Sequence, residues 1–372
     1  MTMRVSLLLL VCGAVGFCAG AQKKEKKQPP PEFKVGMTSR VFHPKVQRNW
    51  RGAQHQELQV IVWYPAAENA VETQQVIGAP DAPLFLAGKA QEHAALAPGL
   101  DSMPLIVLSH GTGGSAMQMA WLGTALARAG YIAAAVNHPG NNALEPYTAE
   151  GFVLWWERAT DLSEVIDGML ADEEFGSKID KNRIGAAGFS IGGYTVLALG
   201  GARTDISIIV DLCEKQPDAP ACHVPEMKEM GTPQQMLAAV RKTSGVSLAR
   251  SNESYMDPRV HAILAIAPAV GMTLTPESLH AMKVPVFMVV GSADPMAPPK
   301  DNADLIRAHD RRARETVLPN VAHYTFLDTC TAVGKQQLGV FCDDPSGVDR
   351  EAVHTEVEEM AVGFFDRELR SK

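Results

Sequence analysis

No apolar stretch in this 372-residue chain reaches the roughly 20 residues that a membrane-crossing helix needs. Basic residues are outnumbered, 34 Lys and Arg against 42 Asp and Glu, leaving a formal net charge of −8 and a pI near 5.8. That balance removes any electrostatic reason to expect nucleic acid or an anionic membrane surface as a partner. Cysteine is scarce, and none has metal-ligand spacing with nearby histidines; Cys213, Cys222 and His223 are too thin a set to read as a zinc site. No internal repeat stands out, and neither a metal nor an organic cofactor is implied. What remains is a small-molecule enzyme or binding protein.

The first residues, "MTMRVSLLLLVCGAVGFCAGAQ", have one arginine, an apolar run from Val5 to about Phe17, and a small-x-small site at Ala19-Gly20-Ala21. This pattern reads as a secretory signal over residues 1–21, so the mature protein is expected in the periplasm or outside the cell. A lipoprotein anchor at Cys12 or Cys18 is the competing reading, although Val11 and Phe17 stand where a lipobox has a small residue. The charged and proline-rich stretch 22–32, with "KKEKKQPPPE", cannot bury a core and reads as a solvated linker. Four cysteines follow: Cys213, Cys222, Cys330 and Cys342. Three pairings are possible in an oxidising compartment. Cys213–Cys222 with Cys330–Cys342 is favoured, because each pair closes a short polar loop.

Residues 33–372 suffice for one large α/β domain. "ELQVIVWYP" alternates and reads as an early antiparallel strand, whereas "MPLIVLSHG", "YIAAAVNHPG", "RIGAAGFS", "VHAILAIAP" and "VPVFMVVGSAD" are apolar runs expected to be buried on both faces. Helical patterns lie between them, in "MQMAWLGTALARAG", "ATDLSEVIDGMLAD" and "GGYTVLALGGA", and a last one covers "AVHTEVEEMAVGFFDREL". Strands alternating with helices imply a mostly parallel central sheet with helices on both faces. The alternation breaks over about 211–258, a Met- and Pro-rich insertion that is either a lid over a site or a surface excursion.

One motif carries chemistry. Ser190 stands in "RIGAAGFSIGGY", with Gly188 and Gly192 two positions to either side. A serine on a sharp strand-to-helix turn needs small neighbours, since larger side chains would collide there. An alcohol is a poor nucleophile unless an imidazole takes its proton, and the imidazole needs a carboxylate to hold its tautomer. Asp294, closing "VPVFMVVGSAD", and His323, in "VLPNVAHYTF", follow Ser190 in the order such turns require. Asp211 is the rival acid, and a helix cap is the alternative for Asp294. "SHGTGG" leaves an early buried strand and suits an oxyanion loop, with backbone amides of Thr112 and Ile191 as donors. His110 is expected to shape that loop and Gly113 to allow close approach. His138 either lines the pocket or packs its turn. Trp155 and Trp156 are expected to fill core or line an acyl pocket.

Taken in order, "SHGTGG", "VNHPGNN", "GFSIGGYT", "GSADPMAPP" and "NVAHYTFLDTC" resemble the α/β-hydrolase family of predicted dienelactone hydrolases, itself similar to the secreted platelet-activating-factor acetylhydrolases. The resemblance runs from about Phe33 to the C-terminus. It implies an α/β-hydrolase fold, nucleophile Ser190, acid Asp294, base His323 and an oxyanion donor at Thr112. Two departures stand out. Dienelactone hydrolases use cysteine where this chain has Ser190, and the acetylhydrolases commonly have histidine where it has Phe189, a change expected at the pocket wall. The resemblance therefore implies a reaction class, ester hydrolysis, and says little about substrate; small or short-chain acyl esters are the substrates expected here. A polyester or cutin hydrolase and an acyltransferase share the same machinery.

Overall fold

The computed structural model describes residues 32–45 and 47–370; the signal segment lies outside the described residues, and so does the linker except for Glu32. Eleven strands form one sheet: β1 (Lys34–Phe42), β2 (Leu58–Ala66), β3 (Thr73–Ala79), β4 (Ala82–Glu92), β5 (Met103–Ser109), β6 (Ile132–Val136), β7 (Ile179–Phe189), β8 (Val260–Ile266), β9 (Val286–Gly291), β10 (Arg314–Leu318) and β11 (Thr329–Cys330). The helices are α1 (Ala120–Arg128), α2 (Ala149–Val153), α3 (Glu157–Ala171), α4 (Ile191–Leu199), α5 (Ile206–Lys215), α6 (Pro233–Thr243), α7 (Gly245–Ala249), α8 (Pro276–Ala281), α9 (Ala303–His309), α10 (Ala332–Gln337) and α11 (Arg350–Phe365). The strand order is β10-β9-β8-β7-β5-β6-β2-β1-β4-β11, with β3 paired to β4. From β10 to β6 every neighbouring pair is parallel, and β2 joins antiparallel to both β6 and β1.

The continuous apolar runs explain the sheet's centre. Every residue of β5 and β6 is buried. Because successive side chains point to opposite faces, Ile106 and Leu108 enter one core with α1 and α11, while Leu105 and Val107 enter another with α3 and α4. Fully burying each such side chain contributes about 1.5–3 kcal/mol. Both faces are thus helix-covered, and β5 lies between β6 and β7 although the chain visits them in turn. That reversal of direction is a topological switch point, the place where open sheets gather their sites.

Several elements go beyond the sequence expectation. β1, β3 and β4 extend the antiparallel side, and β7 begins at Ile179, four residues before Arg183. The helical excursion starts soon after α4 rather than at 211, so Asp211 stands inside α5. The reason is local: "ISIIVDL" has few polar residues and no strong breaker, and only its packing decides that it coils. The cysteines pair as Cys213–Cys222 and Cys330–Cys342. Replacing both Cys330 and Cys342 by serine is expected to cost about 3 kcal/mol, since their 12-residue separation sets the loop entropy released in the unfolded chain. Urea unfolding of the double variant checks this. Among the described residues no helix is long and apolar enough to cross a membrane.

Candidate active site

Ser190 occupies the turn between β7 and α4 with φ 58° and ψ −121°, a conformation that L-residues rarely adopt. Its surroundings enforce this. The Ser190 amide donates to the Ile266 carbonyl at 2.9 Å, and its own carbonyl accepts from the Ala269 amide at 3.1 Å. The glycines answer to close backbone approach. A Cβ on Gly188 would stand 2.2 Å from the Gly192 carbonyl oxygen, and one on Gly192 would stand 2.0 Å from the Ser109 carbonyl oxygen. Only at those approaches does the turn close against β5 and hold its hydroxyl at the sheet's edge.

Asp294 and His323 arrive from the loops after β9 and β10, which are tied together by the Ala293 amide donating to the Val321 carbonyl at 3.0 Å. Ser190 Oγ lies 2.8 Å from His323 Nε2, and His323 Nδ1 lies 2.7 Å from Asp294 Oδ2. The other oxygen, Asp294 Oδ1, accepts from the Met296 and Ala297 amides at 2.8 Å each. Turn capping and the histidine contact therefore coexist on one carboxylate. Both side chains are nearly inaccessible to water. With the Nδ1 proton directed at the carboxylate, Nε2 presents its lone pair to the serine hydroxyl. The rival acid Asp211 is exposed on α5 and pairs with Lys215 instead.

Thr112 and Ile191 both border the cavity over Ser190. The Ile191 amide is the first of α4, so the helix itself supplies no carbonyl for it. Four residues considered near the pocket stand outside its lining. His110, Gly113, His138 and Phe189 do not line the cavity; they form the layer behind it. His110 Nδ1 donates to the Gly111 carbonyl at 2.7 Å, and its Nε2 accepts from the His138 amide at 3.2 Å. His138 bridges Ser109 Oγ at 2.8 Å and Asp161 Oδ2 at 2.7 Å. Gly113 gives its carbonyl to the Tyr147 hydroxyl at 2.8 Å. Phe189 turns its ring against the His323 imidazole, with centroids 4.9 Å apart. Both histidines are fully buried, and burial holds His110 well below its ordinary pKa and takes His138 down to about 3. They are neutral hydrogen-bonding struts.

The sequence reading missed Asn141, Arg158 and Asp161, all buried; Asn141 and Arg158 border the cavity beside Thr112, whereas Asp161 does not. A signal existed. Arg158 and Asp161 continue the spacing of Leu162 and Val165 on α3, so two charged residues sit on a stripe that otherwise packs against the sheet. Asp161 accepts from Arg48, from Arg51 at 2.7 Å and from His138. Burial alone would raise its pKa, but those partners hold it well below the carboxylate range.

The cavity measures about 610 Å³ and is roofed by α5, α6 and the segment between them, with Ile209, Leu212, Met227 and Met236 contributing apolar wall. Trp155 lines it, whereas Trp156 fills core. Glu226 reaches in from the roof, where Tyr324 donates to it at 3.3 Å and burial raises its carboxyl pKa.

A family model described as "Alpha/beta hydrolase family" matches residues 106–334. A stretch of 55 residues is 42% identical to Lipase 1 of Moraxella sp. (strain TA144), covering 15% of this chain and 17% of that lipase's length. Among solved structures, a ferulic acid esterase from Streptomyces cinnamoneus superposes with a TM-score of 0.61 at 19% identity, over 93% of each chain.

Proposed function

This chain belongs to the alpha/beta hydrolase family and has its fold, and on that premise we propose that it is an exported serine carboxylic-ester hydrolase for small or short-chain acyl esters. The observation that carries the reading is the pair of contacts, 2.8 and 2.7 Å, that run from Ser190 through His323 to Asp294. In the proposed reaction Ser190 Oγ attacks the ester carbonyl while His323 Nε2 takes its proton. The Thr112 and Ile191 amides receive the negative oxygen. Imidazolium, stabilised by Asp294, then protonates the leaving alcohol, and the acyl group stays on Ser190. Water enters, gives its proton to His323, and releases the acid with a proton returned to Ser190.

The cavity supports a small-molecule substrate over a polymer. Its volume falls within the range of about 300–1,000 Å³ typical of such sites, and α5 and α6 contribute much of its apolar wall. Two disulfides support an oxidising compartment. Within the family, the motif set supports the predicted dienelactone hydrolase group akin to platelet-activating-factor acetylhydrolases. A fluorophosphonate probe is expected to label the wild-type protein on Ser190 and to leave Ser190→Ala unlabelled. Equal labelling of both would end the assignment.

A further inference from the structure

We infer that Arg158 is a positioning residue that braces both segments carrying the oxyanion amides, so that one guanidinium fixes where the two donors point. This inference rests on the ester-hydrolase reading of the site.

Arg158 sits on α3 and is 1% exposed. Its guanidinium donates to the His110 carbonyl, to Asn141 Oδ1 at 3.1 Å, to Thr195 Oγ1 at 3.1 Å and to Ser109 Oγ at 3.4 Å. Each acceptor leads to the site. The His110 carbonyl lies just before Thr112 in the loop. Asn141 Oδ1 also accepts from the Gly113 amide at 2.9 Å, just after Thr112. Thr112 is thereby held from both sides. On the other segment, Thr195 Oγ1 donates to the Ile191 carbonyl at 2.8 Å. The loop after β5 and the first turn of α4 are thus joined through a single planar group.

The chemistry of that group matters. Guanidinium presents five donors in a rigid fork, whereas an ammonium is a point charge on a flexible stem. A buried charge is costly unless it is paired. Arg158 nevertheless contacts only neutral oxygens, since the adjacent carboxylate, Asp161, is engaged by Arg48, Arg51 and His138. Burial brings the Arg158 pKa down to about 9, so the group keeps its charge at neutral pH. A fold seeking only stability would fill this place with apolar side chains. A cation held against the backbone of an oxyanion loop suits a site where negative charge develops during reaction.

The test uses Arg158→Lys, Thr195→Val and Thr195→Ser in the full chain. Arg158→Lys keeps the charge and loses the fork; kcat is expected to fall about 100-fold, comparable to losing one oxyanion donor, with KM changed by less than about threefold. Thr195→Val is expected to lower kcat about tenfold by removing one linking hydrogen bond, and Thr195→Ser to restore it. Inhibition by a trifluoromethyl ketone should weaken in step with kcat. Hydrogen exchange across residues 110–115 should quicken in Arg158→Lys, and across residues 190–195 in Thr195→Val. Unchanged kcat and exchange in folded Arg158→Lys would overturn the inference, and so would Thr195→Ser losing as much as Thr195→Val. Should Arg158→Lys fail to fold, the Thr195 pair decides. If the wild-type protein neither cleaves esters nor takes the fluorophosphonate, the proposed function falls, while the exchange measurements still decide whether the brace exists.

Discussion

His323→Ala is expected to lower kcat by about 10⁶-fold, the loss seen when the base of a serine hydrolase is removed. Asp294→Asn should cost less, about 10⁴-fold. The difference follows from the geometry. Without the imidazole nothing receives the Ser190 proton, and the nucleophile remains an alcohol. With asparagine at 294, the Met296 and Ala297 amides still claim the amide oxygen, because they already bind Oδ1 at 2.8 Å. The NH₂ group then faces His323 Nδ1 and donates to it. The ring proton is forced onto Nε2, which can no longer accept from Ser190 Oγ. Catalysis falls through the wrong tautomer while the backbone stays in place. His323→Ala leaves Asp294 Oδ2 short of a partner, a cost of about 1–3 kcal/mol, which the fold should tolerate. Steady-state kinetics with a chromogenic ester, read beside urea unfolding of the same variants, checks both. If Asp294→Asn stays within about tenfold of wild type, the relay as drawn is wrong.

Gly192→Ala is expected to damage stability and activity together. Its new methyl would meet the Ser109 carbonyl oxygen at 2.0 Å and the His110 carbonyl oxygen at 2.7 Å. Both are buried backbone atoms, one at the end of β5 and the other at the start of the loop that follows, so neither yields by a rotamer change. α4 must withdraw from β5, at a cost of about 3 kcal/mol or more for overpacking against a rigid neighbour. The same displacement pulls the Ile191 amide away from the Thr112 loop, so turnover should fall at least as far as the loss of one oxyanion donor, about 10²-fold. Gly245→Ala is the control. It sits at the start of α7 with nothing within 4 Å of its added Cβ, and it should change stability by no more than about 0.5 kcal/mol. Equal behaviour of the two variants would show that the contact at Gly192 relaxes easily.

Much of the architecture was legible because burial leaves a local mark. β5, β6 and β8 are runs of apolar residues that no half-exposed strand could carry, and α3 and α11 show helical spacing. The antiparallel edge was less visible. β3 and β4 mix polar and apolar residues, since each packs partly against solvent; at the opposite, parallel edge, β10 is the short, half-exposed "RETVL". At the site, Ser190, Asp294 and His323 could be picked out by their order and by the strands they follow. Phe189, expected at the pocket wall, and His138, for which lining the pocket or packing its turn were both open, do not line the cavity. Nearness to a motif in the chain does not say which side of a strand end a side chain takes.

The chain alone determined the alternation of buried strands and helices, the glycines around Ser190 and the short loops that the cysteines close. Each depends on neighbours a few residues away, where spacing and side-chain size suffice. Which residues brace the loop after β5 was decided only in three dimensions. Arg158, Asn141 and Thr195 come from separate segments, and the sheet's reversal at β5 brings them to one point. A guanidinium there becomes meaningful only once folding has removed water and placed carbonyl oxygens around it.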